Sequence, residues 1–355
     1  MARRFLGPAC VVAAVLAVAA LDVVLLAGQA PSPGNTAVKT SSSPSTNYKA
    51  PRTAWGDPDL QGNYTNLYED GTPLERPKEF EGRTLDDVKG AELAKIKAAV
   101  QERTINNFQG PIHAPDNWWQ DALNLKRGSQ AWLIVDPPDG KVPAMTPEAE
   151  KRIAARADAR RNLGHGPADS WEDRSLYDRC LTRGLPGSMM PAIYGNSYQI
   201  VQGQGYVVIR YEMIHEARVI PLDSRSHVGK NIHLDMGDAR GRWEGDTLVV
   251  ESTNFKDRSA YRNASADTLK LTERFTRIAP DKVKWAVTVE DPSTWTRPWT
   301  FAMPLTMNDG EPLMPYECHE GNYGLKNILS AARADERAGG PAGPAGDPSA
   351  PADER

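Results

Sequence analysis

Several ionisable side chains fall on strand faces that are otherwise apolar, which is where proteins keep acids, bases and buried ion pairs. In "LKLTERFTR" the alternation puts Glu273 with Leu269, Leu271 and Phe275. In "TWTRPWTFAM" Arg297 falls between Trp295 and Trp299, on the face shared with Phe301 and Met303. In "YVVIRYEMIH" Tyr211 and His215 share a face with Val207, Ile209 and Met213, and Trp285 lines up with Val283, Val287 and Val289 one strand further on. A carboxyl kept protonated by apolar surroundings can donate a proton, a tyrosine or histidine can take one, and a guanidinium can steady the oxyanion that forms. The plainer alternative is a structural Glu273–Arg297 ion pair inside a packed core. Arg210 and Glu212 lie on the opposite face and take over these parts if the register slips by one residue.

A second concentration of chemistry is "YECHEGNYGL", with Cys318, His319, Glu320, Asn322 and Tyr323 inside ten residues. The start of the chain bears on it. Arg3 and Arg4 precede an apolar run from Val11 to Ala27, and small residues surround Ala30, which reads as an export signal over 1–30. Pro31 and Asp22 keep an uncleaved membrane anchor open as the alternative. Loss of the signal removes Cys10 and leaves Cys180 and Cys318, an even pair in an oxidising compartment, so a disulfide is expected. It would close a long loop, worth roughly 3–5 kcal/mol in the chain-entropy picture. A free nucleophilic Cys318 beside His319 is the competing reading, but neighbours on an extended strand point to opposite faces.

"HVGKNIHLD" supplies His227, His233 and Asp235, a weak metal set whose spacing matches no strong zinc pattern; no metal or other cofactor is expected. His319 and Glu320 could join such a set. His113 and His165 sit in loop-like stretches. No nucleophile elbow, P-loop or dinucleotide fingerprint is present. The net charge of −4 comes from 42 basic and 46 acidic residues with both signs interspersed, so no basic stripe points to nucleic acid.

The elements that must position these residues change character near residue 195. Residues 31–50 form a Ser/Pro/Thr linker, and a Gly/Pro/Ala tail runs over 339–355. Residues 51–195 are loop-rich, with a helix expected over 85–100, another starting at Thr146-Pro147, and a short strand at 131–135; the region is expected to wrap a larger body. From 196 to 308 eight short strands follow one another, punctuated by "GQG", "EGD" and "APD". Eight sequential antiparallel strands close most simply into an up-and-down barrel, with a two-sheet sandwich as the alternative. Residues 309–338 then carry the CHEGNY segment and a C-terminal helix. The fold class is therefore mainly β.

The runs "GDARGRWEGDTLVVESTNF", "LTERFTR", "DPSTWTRPWT" and "ECHEGNYGL" resemble a largely uncharacterised family of exported proteins of soil acidobacteria and sphingomonads. The resemblance extends from "WGDPDLQGNY" to "CHEGNYGL", most of the chain. It implies a lipocalin-like barrel and a kinship with enzymes that cleave ether bonds of lignin-derived aromatics. His233 stands where that family is expected to carry another residue, which weakens a shared metal site. A benzylic ether bearing a para-phenol can leave through a quinone methide without a cofactor. Under this reading Tyr211 or His215 takes the phenolic proton, Arg297 steadies the phenolate, and Glu273 protonates the ether oxygen. Trp285, Trp295 and Trp299 stack on the rings, His319, Glu320 and Tyr323 reach the cavity mouth, and Asn322 is expected among the substrate contacts.

Two main functions follow as expectations. One is a cofactor-independent lyase or hydrolase acting on a small aromatic molecule. The other is a non-catalytic periplasmic or secreted barrel that binds a small apolar ligand. A structural protein of the envelope is the third and blandest reading, and no oligomeric state is implied.

Overall fold

The computed structural model describes residues 48–107, 124–162, 168–192, 194–310 and 313–339. The expected export signal, most of the linker, His113, His165 and the tail from 340 lie outside the described residues.

All eight expected strands form, and alternation explains their faces. They are β3 (Ser197–Gly203), β4 (Tyr206–Tyr211), β5 (Ala217–Pro221), β6 (Asp238–Glu244), β7 (Thr247–Thr253), β8 (Lys270–Ala279), β9 (Lys282–Glu290) and β10 (Trp299–Met307). In β9, Val283, Trp285, Val287 and Val289 are buried while the residues between them are not. The β6–β7 hairpin turns on Gly245-Asp246, where Gly245 supplies a φ of +60° that few other residues accept.

Two strands were not expected as they occur. β1 (Gly62–Thr65) pairs antiparallel with both β3 and β10, so it is inserted between the first and last strands of the meander. β2 (Ile134–Asp136), close to the expected 131–135, pairs with β10 beyond the stretch that β1 covers. The main path is β5-β4-β3-β1-β10-β9-β8-β7-β6, with β2 off it. The ring thus has nine strands rather than eight, and one continuous sheet replaces the sandwich alternative.

That count has a geometric effect. Every neighbouring pair on the path is antiparallel, so direction alternates at each step. Eight steps lead from β5 to β6, and the two therefore run in the same direction. An even ring could close with antiparallel ladders throughout; an odd one must leave one parallel junction. That junction is the gap between β5 and β6, where no ladder forms. Side chains close part of it. Ile220 and Leu222 lie so near Gly241 that a Cβ there would fall 2.7 Å from one and 2.6 Å from the other, so only glycine fits. The barrel is nearly closed, with a seam.

The interior is filled by one continuous cluster that includes Tyr64, Tyr198, Tyr211, Phe275, Trp285, Trp299 and Phe301. Among the described residues there are three α-helices: α1 (Gly90–Asn107), α2 (Pro147–Asn162) and α3 (Tyr323–Arg337). The helix expected from residue 85 begins later, because Leu85–Asp87 forms a 3-10 turn capped by Thr84 and Asp87, and the chain restarts at Gly90 with a φ of +60°. α2 starts where expected, with Thr146 Oγ1 accepting the Ala149 N–H at 3.1 Å. Among the described residues no helix is long and apolar enough to cross a membrane.

Candidate functional site

Glu273 is fully buried on the inner face of β8, as alternation requires, but its partner is Arg218 and not Arg297. Both guanidinium Nη atoms of Arg218 reach the carboxylate, one of them at 3.1 Å, and Trp285 Nε1–H donates to Oε1 at 3.1 Å. Arg297 is exposed. β10 begins only at Trp299, after a bend at Thr296-Arg297, so the alternation that placed Arg297 inward does not extend that far back.

His215 is also turned outward. β4 ends at Tyr211, and a tight turn with positive φ at Ile214 and His215 breaks the strand alternation just before it would point inward. Its Nε2 accepts the Tyr316 N–H at 2.7 Å, which ties it to the CHEGNY segment. Trp285, Trp295 and Trp299 are buried in the core rather than lining open space; Trp295 and Trp299 meet edge to face at 5.7 Å. Arg210 is half-buried opposite Gln199, and Glu212 accepts the Ser197 N–H at 3.2 Å.

The CHEGNY segment is an anchor. Cys180 and Cys318 are joined as a disulfide with their Cα atoms 5.7 Å apart. Asn322 caps α3 by accepting the Leu325 N–H at 3.1 Å, and its Nδ2 donates to the Asp178 carbonyl at 2.7 Å. His319 and Tyr323 are exposed. The three metal candidates are each engaged elsewhere. His227 Nδ1 meets Asp238 at 2.8 Å, His233 Nδ1 meets the Phe255 carbonyl at 2.9 Å, and Asp235 pairs with Lys256 at 2.8 Å. Among the described residues no group of three or more metal-ligating side chains converges.

A pocket opens where the ring fails to close. One wall is Ala217, Arg218 and Val219 of β5, and the other is the stretch 234–239 leading into β6; its volume is about 350 Å3. The phase of the β4–β5 ladder explains why this wall is free. Tyr211 N–H donates to the Glu216 carbonyl and Leu222 N–H to that of Gly205. The residues between, Ala217 and Val219, therefore turn their backbone groups away from β4 and toward the seam.

Charge and polarity at this pocket are unusual. Arg218 is buried, and behind it, away from the pocket lining, the buried Tyr211 hydroxyl lies beside its guanidinium. Burial pushes the Tyr211 phenol well above its ordinary range, with Arg218 opposing and Glu273 adding. Burial works to lower the Arg218 pKa but Glu273 and Tyr211 outweigh it, so the guanidinium is held more firmly charged than usual. Glu216, next to the wall, is raised above the usual carboxylate range by burial, with Asp235 adding to the effect and hydrogen bonds from Thr182, Ser188 and the Arg183 N–H opposing it. Asp238 is bound by Arg240 at 2.7 Å as well as by His227.

Reading the faces of the other strands left Arg218 out, although the signal was present: "ARVIPL" alternates Arg218, Ile220 and Leu222 against Ala217, Val219 and Pro221. A guanidinium on that apolar face is the complement of Glu273. The seam itself had no such signal, because it follows from the insertion of β1.

Comparison with known proteins adds no relative: no family model, no curated protein and no solved structure matches the chain.

Proposed function

We propose that this is an exported binding barrel that takes a small, largely apolar molecule into the seam between β5 and β6. The observation that carries this reading is the pocket of about 350 Å3 at the seam, lined by apolar Val219, Leu234 and Met236 with the buried, ion-paired Arg218 in its wall. An engineered cavity of about 150 Å3 already holds a benzene molecule, so a substituted ring is within range. Export is supported by the Cys180–Cys318 disulfide and the character of residues 1–30.

A second reading keeps catalysis at the same place. Glu216, whose carboxyl burial raises above the ordinary range and which adjoins the pocket wall, would be the acid in a cofactor-independent cleavage of a benzylic ether. It replaces Glu273 in that part, since Glu273 is bound by Arg218 and Trp285.

Incubation of the purified protein with a panel of one- and two-ring aryl ethers, ketones and phenols separates these readings. Thermal shift reports binding and mass spectrometry reports cleavage. The expected result is stabilisation by a subset of compounds that are recovered intact. Cleavage of an ether would move the conclusion to the lyase or hydrolase, and absence of any shift would remove the binding reading.

A further inference from the structure

The two lips of the seam differ in what their backbones still offer. On β5 the ladder to β4 uses alternate residues, so the N–H and C=O groups of Ala217 and Val219 face the seam, and among the described residues nothing bonds them. Pro221, next in the same phase, brings a carbonyl but no N–H, so the run of free donors ends at Val219. At that end Ile220 and Leu222 close on Gly241 and shut the seam. The other lip is more heavily used: the Ala239 carbonyl accepts from Arg240 Nη1 at 2.6 Å, and the Gly237 N–H donates to the Leu234 carbonyl at 3.2 Å. The charges around the pocket are matched, Arg218 by Glu273, Asp235 by Lys256 and Arg258, and Asp238 by Arg240 and His227.

We infer that the molecule taken up by this pocket is a segment of polypeptide: an uncharged, apolar stretch of about three residues, extended and paired antiparallel with Ala217–Val219 of β5. The inference rests on the seam being a binding site and names what that site takes. The free groups recur two residues apart, about 7 Å, with a donor and an acceptor at each place. Another backbone in strand form repeats them at the same interval, which an aryl ether or a hydrocarbon does not. A pair of bonds at Ala217 and another at Val219 span three guest residues, and the loss of donors at Pro221 sets that length. Antiparallel pairing continues the alternation of the whole sheet path. Val219 and Leu234 are exposed apolar side chains in the lining, so a guest here covers both an open strand edge and bare apolar surface. A charged guest finds no free partner among ions that are already paired, which makes the stretch neutral.

The probe is the blocked tripeptide N-acetyl-Val-Ala-Val-N-methylamide, titrated calorimetrically into the full chain. Beside it stand three analogues in which the N–H of the first, second or third residue is replaced by an ester oxygen, and n-butylbenzene, which has apolar surface but no backbone. In strand pairing the first and third residues face β5 and the second faces away. A lost hydrogen bond weakens binding by roughly tenfold, so the first and third esters should bind about that much more weakly than the parent, while the second should match it. Val219→Pro removes one seam-facing N–H without touching the ladder to β4. It should weaken the tripeptide by roughly tenfold and leave n-butylbenzene unchanged, with circular dichroism establishing that the variant is folded. The ester series needs no variant. Esters that all match the parent, or n-butylbenzene binding as tightly as the tripeptide, would overturn the inference while the pocket remains a binding site. Self-association of the chain, seen by light scattering and abolished by Val219→Pro, would overturn it in favour of a second copy at this edge. Binding of none of the probes by the folded protein would overturn the binding site as well.

Discussion

At the scale of single residues the decisive fact is that Glu273 has a committed partner. A buried carboxylate bound by a bidentate arginine and an indole N–H is part of the scaffold, and its loss should be read first in stability. Glu273→Leu leaves Arg218 as a buried uncompensated cation and should cost about 3–5 kcal/mol in urea unfolding. The double change Arg218→Met with Glu273→Leu should recover most of that loss, because the penalty lies in the orphaned charge and not in the missing pair. If the double variant is as unstable as the single one, the pair is holding the barrel together by more than charge balance. Strand alternation revealed Glu273, Trp285, Tyr211 and the inward apolar partners, since a period of two survives wherever the strand is regular. It failed at Arg297 and His215 for one reason: each lies just beyond a strand end, where a bend or a positive φ cancels the alternation.

At the scale of elements the turn between β9 and β10 shows how a carboxylate organises a junction. Asp291 accepts hydrogen bonds from Ser265 N–H at 2.7 Å, Thr268 Oγ1 at 2.6 Å and Ser293 N–H at 3.0 Å, and also from the Thr294 hydroxyl. Thr146, the cap of α2, donates through its own N–H to the Thr294 carbonyl at 2.9 Å, so the same turn seats that helix. Burial works to raise the Asp291 pKa, and these donors outweigh it, leaving the carboxyl below its ordinary range. A depressed folded pKa contributes stability above the unfolded value, near 4, that is lost as pH falls through the folded value. The stability gap between the native chain and Asp291→Asn should therefore be widest at neutral pH and narrow progressively below about pH 4. A gap independent of pH would mean that hydrogen-bond geometry alone carries the contribution. The meander and the start of α2 were legible because each has a local signature, in alternation, a Gly-Asp turn or a Thr-Pro cap. β1 was not: "GNYT" is four residues in a glycine- and proline-rich stretch, and only its partners make it a strand.

At the scale of the whole molecule the seam governs where the barrel is weak. Gly241→Val would drive its side chain into Ile220 and Leu222, and should destabilise by roughly 1–3 kcal/mol through overpacking. Hydrogen exchange should locate the change: amides of β5 and β6 should lose protection while those of β8 and β9 keep it. Uniform loss across the sheet would show that the seam does not open independently. About halfway round the ring from the seam lies β1, which meets β3 over four residue pairs and β10 over only two. Two arms, one of three strands and one of five, are joined in the sheet by that short clasp. A ring with a gap on one side and a thin joint on the other has the mechanics of a spring clip. What holds the clip shut lies across its middle: the Arg218–Glu273 pair and the shared core join the two arms where no ladder does.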